Sequence, residues 1–413
     1  MFIVRVKRQM YVLRMYKIKL LYIYMNFKEK IDELEDIKED KIFKLFDEYK
    51  NDMRENKINL TLGLLLKKND LYKFDVVKNE EGKCKKHNYL SIGGNSNFIK
   101  LHYELVTGNH YKNELVYQTL SGTGALSLTA KILSYLNYKD IYLPSETWVN
   151  HRNIFESESF KIISYDYITK PILDKEKLFY SLSKIKNSLI LFQSCCHNPT
   201  GVDIDDDLWD DIINIIKNKN NIIIIDNAYQ GLASGNLDKD NYCIKKFIKN
   251  NINTFICTSH SKNFGLYGQR IGGLIINTVN INKTKFNAFV KDIIRSKYSS
   301  PPYYGSLIIE NILSNKNKYK LWQNEINDQV KNLNEIRKIL NSKLLDNKIY
   351  WNDLLNGKGL FYKTDLNEEQ ILNLKVNYGI YILNNGRINI AGLNLDNISY
   401  FVNSIKQIYK INS

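Results

Sequence analysis

Six short apolar runs rich in β-branched residues, with helical stretches between many of them, restrict this chain to few architectures. They are "DIYLP" at 140–144, "FKIISYDY" at 160–167, "SLILFQS" at 188–194, "NIIIID" at 221–226, "TFICTS" at 254–259 and "GGLIIN" at 272–277. Runs this apolar suit strands covered on both faces. The intervening "DDDLWDDIINIIKNKN" at 205–220 is one of the helical stretches. The alternation predicts an α/β fold whose large domain holds a mostly parallel, doubly covered sheet. After about residue 315 long amphipathic helices such as "NEINDQVKNLNEIRKILNSKLL" at 324–345, short strands and a last helix at 395–411 read as a smaller α+β domain.

With 413 residues, 44% of them hydrophobic, the chain can bury a large core. The net charge of +15 raises the question of a nucleic-acid partner. Lysine is interleaved with Glu and Asp, and no nucleic-acid motif appears, so the charge reads as a solvated surface. Five cysteines (Cys84, Cys195, Cys196, Cys243, Cys257) with no CxxC argue against a disulfide framework or a zinc site, and fit a reducing compartment. Residues 1–24 carry six basic residues and no acidic one, but their longest apolar run, "LLYIY", is too short to span a bilayer. They read either as a targeting or membrane-surface segment, or as a disordered extension ahead of an alternative start at Met25.

In an open α/β sheet, ligands gather beyond the carboxyl ends of the strands. Ser121-Gly122-Thr123-Gly124 precedes an apolar helical run, where free backbone N–H groups can seat an anion or a Ser or Thr can cap the helix. Asp226 ends the most apolar strand, with Tyr229 three residues on. Asn198 lies in the turn "HNPTG". Ser259 and Ser261 bracket the approach to Lys262, and Arg270 follows eight residues later. Arg387 lies by another strand, in "GRINIAGL". A lysine amine, a carboxylate for a pyridine nitrogen and a set of anion donors are together what pyridoxal 5′-phosphate requires.

The motifs "SGTGAL", "TWVNH", "HNPTG", "DNAYQG", "SKNFGLYGQRIGG", "PPYYG" and "GRINIAGL" occur in an order that resembles the aspartate aminotransferases of the fold-type I pyridoxal-phosphate family, from about residue 25 onward. The resemblance implies an N-terminal arm and part of the small domain at 25–72, a large cofactor domain at 73–325 and the rest of the small domain at 326–413. It implies that Lys262 holds the cofactor covalently and shuttles a proton, and that Asp226 pairs with the ring nitrogen. Ser121, Gly122, Thr123, Ser259, Ser261 and Arg270 would hold the phosphate, with Tyr89 reaching it from a neighbouring subunit. Trp148 would stack on the ring, with Asn198 and Tyr229 at its oxygen. Arg387 would grip the substrate α-carboxylate and a partner's Arg295 its side-chain carboxylate, while Gly63 would lie in a segment closing over substrate. His151 matches a residue behind Asp226. The expectation is a cytoplasmic homodimer with amino-acid and 2-oxo-acid substrates, no metal, no nucleic acid and no stable membrane insertion; a broader or aromatic specificity is the alternative. Gln193 stands where the family has a histidine, and Ser300, Leu65 and the arm "DIKEDKIFKL" also depart from its pattern.

Overall fold

The computed structural model describes residues 27–34, 41–68, 70–83, 88–169 and 172–411. The expectations for residues 1–24, and Cys84, lie outside the described residues. Residues 1–44 and 45–413 form two units. The first contains the helix Phe27–Asp32, which buries no side chain.

The second unit is built on a seven-stranded sheet: β1 (Leu115–Leu120), β2 (Asp140–Pro144), β3 (Lys161–Tyr165), β4 (Leu189–Gln193), β5 (Ile222–Asn227), β6 (Thr254–Ser259) and β7 (Ile271–Asn277). Its order is β1-β7-β6-β5-β4-β2-β3. All pairings are parallel except the two made by β7. All six apolar runs read from the sequence are strands. β1 was not among them, because Gln118 and Thr119 interrupt its apolar pattern. Both are nonetheless fully buried, with polar groups satisfied inside the protein. Gln118 donates to Pro302 O at 2.6 Å and accepts from Asn95 N at 3.0 Å; Thr119 donates to Ser121 O at 3.0 Å.

Alternate residues of the strands feed two cores. Leu189, Leu191, Ile224, Phe255 and Leu274 pack on one face. Ile190, Phe192, Ile223, Ile225, Ile256 and Ile275 pack on the other. Each such side chain contributes about 1.5–3 kcal/mol relative to exposure, which requires helices on both sides. Those used below are α1 (Ser96–Thr107), α2 (Ser121–Tyr135), α3 (Val149–Glu156), α4 (Leu208–Ile216), α5 (Lys283–Tyr298), α6 (Lys316–Asp346) and α7 (Ile398–Ile411). α1 starts on Asn95, whose side chain accepts from Asn97 N and Phe98 N, and stops at Gly108 with φ 71°. Beyond the sheet, β8 (Phe361–Lys363) pairs antiparallel with β9 (Arg387–Asn389). Ile58–Asn59 pairs parallel with Ile380–Tyr381, joining the two ends of this unit.

Register positions the functional side chains. Asp226 pairs with Gln193 on one side and Cys257 on the other. Ser259, two residues past Cys257, pairs with Gly272, and Ile271 pairs with Leu120, the residue before Ser121. Groups from four chain segments therefore emerge at one end of the sheet. Among the described residues, no helix is long and apolar enough to cross a membrane.

Candidate active site

Ser121 opens α2 with φ 63°, a left-handed conformation that a non-glycine residue adopts at a cost. Its hydroxyl does not cap the helix; it meets the Ser259 hydroxyl at 2.8 Å and the Ser261 hydroxyl at 3.0 Å. No side chain caps α2, so its first N–H groups remain available for an anion. The close approach requires glycine: a Cβ on Gly272 would stand 2.2 Å from Thr258 O and 2.9 Å from the Ser121 backbone. Gly122 lies beside the same cradle, where a Cβ would meet Ser259 Cβ at 3.2 Å and Asp226 Oδ1 at 4.0 Å. Thr123 is half-buried in the same turn. Arg270, also in the left-handed region at φ 48°, is exposed and donates to Tyr267 O at 3.0 Å.

Asp226 is buried, and His151 Nε2 lies 3.0 Å from its Oδ2. His151 is in turn fixed by Thr147, its Nδ1 lying 2.7 Å from the hydroxyl. Trp148, half-buried at the start of α3, packs edge-on against His151 with 5.3 Å between ring centroids. Lys262 Nζ lies 5.0 Å from the centre of the Tyr229 ring and makes no hydrogen bond or ion pair within the limits of either among the described residues. Its pKa falls to about 8, chiefly through desolvation; Asp226 opposes the shift, and Arg270 and Arg387 add to it. The lysine is still partly accessible at its surface. Burial outweighs the neighbouring cations. Burial also pushes the Tyr229 hydroxyl well above its ordinary value.

Arg387 is the other cation of this site, 4% exposed and without a carboxylate partner among the described residues. It donates to Asn198 Oδ1 at 3.1 Å and to Thr61 O, and its guanidinium lies 4.3 Å over the Phe361 ring. Its Nε has no hydrogen-bond partner. Burial lowers its pKa to about 10, so it stays charged at neutral pH. Gly63 sits against the same ring: a Cβ there would stand 2.9 Å from Phe361 Cζ and 3.9 Å from the Tyr229 hydroxyl. Thr61 and Phe361 escaped the sequence reading, since a backbone carbonyl and a ring on a short strand carry no motif.

The structure therefore brings together Lys262, Asp226, Tyr229, Asn198, Ser121, Gly122, Ser259, Ser261, Arg387 and Gly63. It does not bring Tyr89 or Arg295 to them within one chain. Tyr89 is 94% exposed. Arg295, near the end of α5, is exposed and bonds the Ser299 hydroxyl.

The chain resembles characterised proteins over most of its length. It is 35% identical to the mitochondrial aspartate aminotransferase of Schizosaccharomyces pombe over 388 residues, covering 89% of this chain and 88% of that one. The structure matches the cytoplasmic aspartate aminotransferase of Saccharomyces cerevisiae with a TM-score of 0.89 at 29% identity, over 92% of this chain and 99% of that one. It matches an aromatic-amino-acid aminotransferase of Burkholderia pseudomallei, covalently bound to pyridoxal phosphate, with a TM-score of 0.87 at 26% identity, over 93% and 100%. Residues 55–405 match the model of aminotransferase class I and II. With a seven-stranded α/β sheet that gathers a lysine, an aspartate and a serine cradle at one end, this chain belongs to the class I and II aminotransferase family.

Proposed function

We propose that the protein is an aspartate aminotransferase, moving an amino group reversibly between L-aspartate and 2-oxoglutarate to give oxaloacetate and L-glutamate in two half-reactions. The observation that carries the reading is the pair of enclosed cations, Lys262 and Arg387, which lack a carboxylate bonded to either among the described residues. Buried cations without partners are costly, so a fold that keeps two of them beside an uncapped helix start is built for anionic ligands. The relatives named aspartate aminotransferase support aspartate as a substrate.

The donor set fits pyridoxal 5′-phosphate. Ser121, Gly122, Thr123, Ser259 and Ser261, with Arg270, would hold the phosphate; Trp148 would cover the ring, and Asn198 and Tyr229 would reach its oxygen. When bound, this group supplies an aldehyde for the amino nitrogen and a protonated ring that withdraws electrons. Asp226, oriented by His151, would keep the ring nitrogen protonated. Lys262 Nζ, titrating near 8, takes the proton from the substrate Cα and returns it on the other side of the exchange. Arg387 binds the α-carboxylate, with Asn198 and the Thr61 carbonyl fixing its plane. Gly63 leaves room for the segment 61–63 to lie against Phe361 beside the substrate.

In this reading the active unit is a homodimer. The exposed Arg295 and Tyr89 of one protomer complete the other protomer's site, Arg295 taking the side-chain carboxylate. Residues 73–325 are the cofactor domain, 25–72 the N-terminal arm and part of the smaller domain, and 326–413 its remainder. For location we propose the cytoplasm, from the four free cysteines among the described residues; the Schizosaccharomyces pombe relative is named mitochondrial, so fractionation of the native protein decides. The Burkholderia likeness supports a second reading, an aromatic or broader specificity.

The test compares aspartate with phenylalanine turnover, 2-oxoglutarate as acceptor, in the unaltered protein and in Arg295→Ala. Preference for aspartate that collapses in the variant is expected. A preference unchanged by the substitution removes Arg295 from substrate selection, and preference for phenylalanine in the unaltered protein installs the second reading.

A further inference from the structure

Behind the lysine-bearing segment, on the side away from the serine cradle, two fully buried histidines touch. His102 of α1 and His260, between Ser259 and Ser261, are 0% and 1% exposed, with His102 Nδ1 3.0 Å from His260 Nε2. His102 Nε2 lies 3.0 Å from the Thr258 hydroxyl, and His260 Nδ1 lies 3.3 Å from Asn263 Oδ1. Phe98 stacks on His102, and Phe264 meets His260 edge-on. Neither ring contacts the reacting groups of the proposed mechanism. We infer that His102 and His260 are positioning residues, a neutral hydrogen-bond relay of fixed direction that tethers the Ser259–Asn263 segment from behind and so sets the phosphate cradle and Lys262.

The direction follows from the two ends. Asn263 Nδ2 donates to Gln230 O at 3.2 Å, which turns Oδ1 toward His260. An amide oxygen only accepts, so His260 carries its hydrogen on Nδ1. Its Nε2 then accepts from His102 Nδ1–H. His102 Nε2, left without hydrogen, takes the single hydrogen of the Thr258 hydroxyl, which would otherwise turn to Gly273 O, also at 3.0 Å; the hydroxyl oxygen accepts from Gly273 N at 2.9 Å. Every member makes one donation and one acceptance in sequence. A charged His102 would turn the Thr258 hydrogen onto Gly273 O and leave a buried charge with no carboxylate bonded to it among the described residues. Burial favours the neutral rings, lowering the His260 pKa to about 4 and that of His102 well below its ordinary value.

The relay closes on its own helix. Gln230, whose carbonyl ends the chain, donates from Nε2 to Leu105 O at 2.9 Å, one turn of α1 beyond His102. Asn263 is tied a second time, its carbonyl accepting from Trp322 Nε1 of α6 at 2.7 Å. Lys262 is thus flanked by two tethered residues, and Gln230 adjoins Tyr229, over which its amine lies. Gly273 makes the fit possible, because a Cβ there would stand 2.4 Å from His102 Nε2.

This inference rests on the cofactor reading for its consequence but not for its geometry, and the test separates the two. The full chain, loaded with pyridoxal 5′-phosphate and labelled with ¹⁵N-histidine, is examined at neutral pH by long-range ¹H–¹⁵N correlation. Of its six histidines, the two whose signals vanish in His102→Phe and His260→Phe are expected to be neutral and hydrogenated at Nδ1. Hydrogen at Nε2, or protonated rings, overturns the relay whatever the enzyme's substrate. His260→Phe strands two buried groups, the His102 Nδ1–H and Asn263 Oδ1, and should weaken pyridoxal-phosphate affinity about tenfold. The double variant His102→Phe/His260→Phe removes the stranded His102 donor and leaves only Asn263 Oδ1 unpaired. It should regain part of the melting temperature lost in His260→Phe while its cofactor affinity stays low. Affinity regained together with thermal stability would leave the pair a packing role and overturn the inference.

Discussion

Gln193 grips Asn198 with both ends of its side-chain amide: Nε2 donates to Asn198 O at 3.0 Å and Oε1 accepts from Asn198 N at 2.9 Å. Asn198 in turn accepts from Arg387. The amide end of Gln193 thus satisfies both the N–H and the C=O of one residue, which needs a donor and an acceptor side by side.

Removing that grip should act through Arg387. Gln193→Leu leaves a buried N–H and carbonyl unpaired, a loss of about 1–3 kcal/mol per group. Steady-state kinetics are expected to show KM for aspartate rising several-fold more than kcat falls, since the reacting groups are untouched. A fall in kcat alone contradicts the chain of contacts.

Arg387 has filled two of its five N–H donors within the protein, leaving the remainder for a carboxylate. Arg387→Lys keeps a charge but loses the planar fork. KM for every amino-acid substrate should rise by about tenfold to a hundredfold, matching hydrogen bonds to a charged group worth about 1.5–3 kcal/mol, while the ratio of aspartate to glutamate stays fixed. A changed ratio would mean that Arg387 reads the side chain.

Lys262 should capture pyridoxal phosphate with a rate that rises through pH 8, because its pKa lies at about 8 and only the neutral amine reacts. The sign of each neighbour follows. Asp226 raises this pKa, so Asp226→Asn moves the midpoint down; Arg387 lowers it, so Arg387→Gln moves it up. Stopped-flow absorbance across pH 6–10 measures all three. A midpoint near 10.4, the value of free lysine, would show that desolvation does not act on this amine.

Gly272→Ala inserts a methyl against Thr258 O and the Ser121 backbone. Overpacking of this kind costs about 1–3 kcal/mol. Chemical denaturation should show that loss, and cofactor retention should fall with it, because the inserted atom displaces the segment that carries Ser121. Full retention in a destabilised variant would separate the cradle from the strand behind it.

The strands of the central sheet were legible because short runs rich in β-branched residues, such as Ile222–Ile225, alternate with helical stretches, a pattern that suits a sheet covered on both faces. β1 was not, since Gln118 and Thr119 are buried by virtue of partners at Pro302, Asn95 and Ser121 that no local pattern announces. Lys262, Asp226 and Arg387 were legible as residue types at strand ends. The opening serine was read as a cap or an anion seat. Its hydroxyl does not cap the helix and bonds Ser259 and Ser261, 138 and 140 residues away.

The sequence by itself determined the α/β architecture and the identity of the charged groups, because periodic burial and motif order are local properties. Tertiary structure alone decided what those groups are next to. Register aligns Gln193 with Asp226, burial sets the Lys262 pKa, and the backbone of residue 61 fixes the plane of Arg387. Each of these depends on desolvation or on a contact between segments far apart in the chain, and such contacts exist only once the strands have paired.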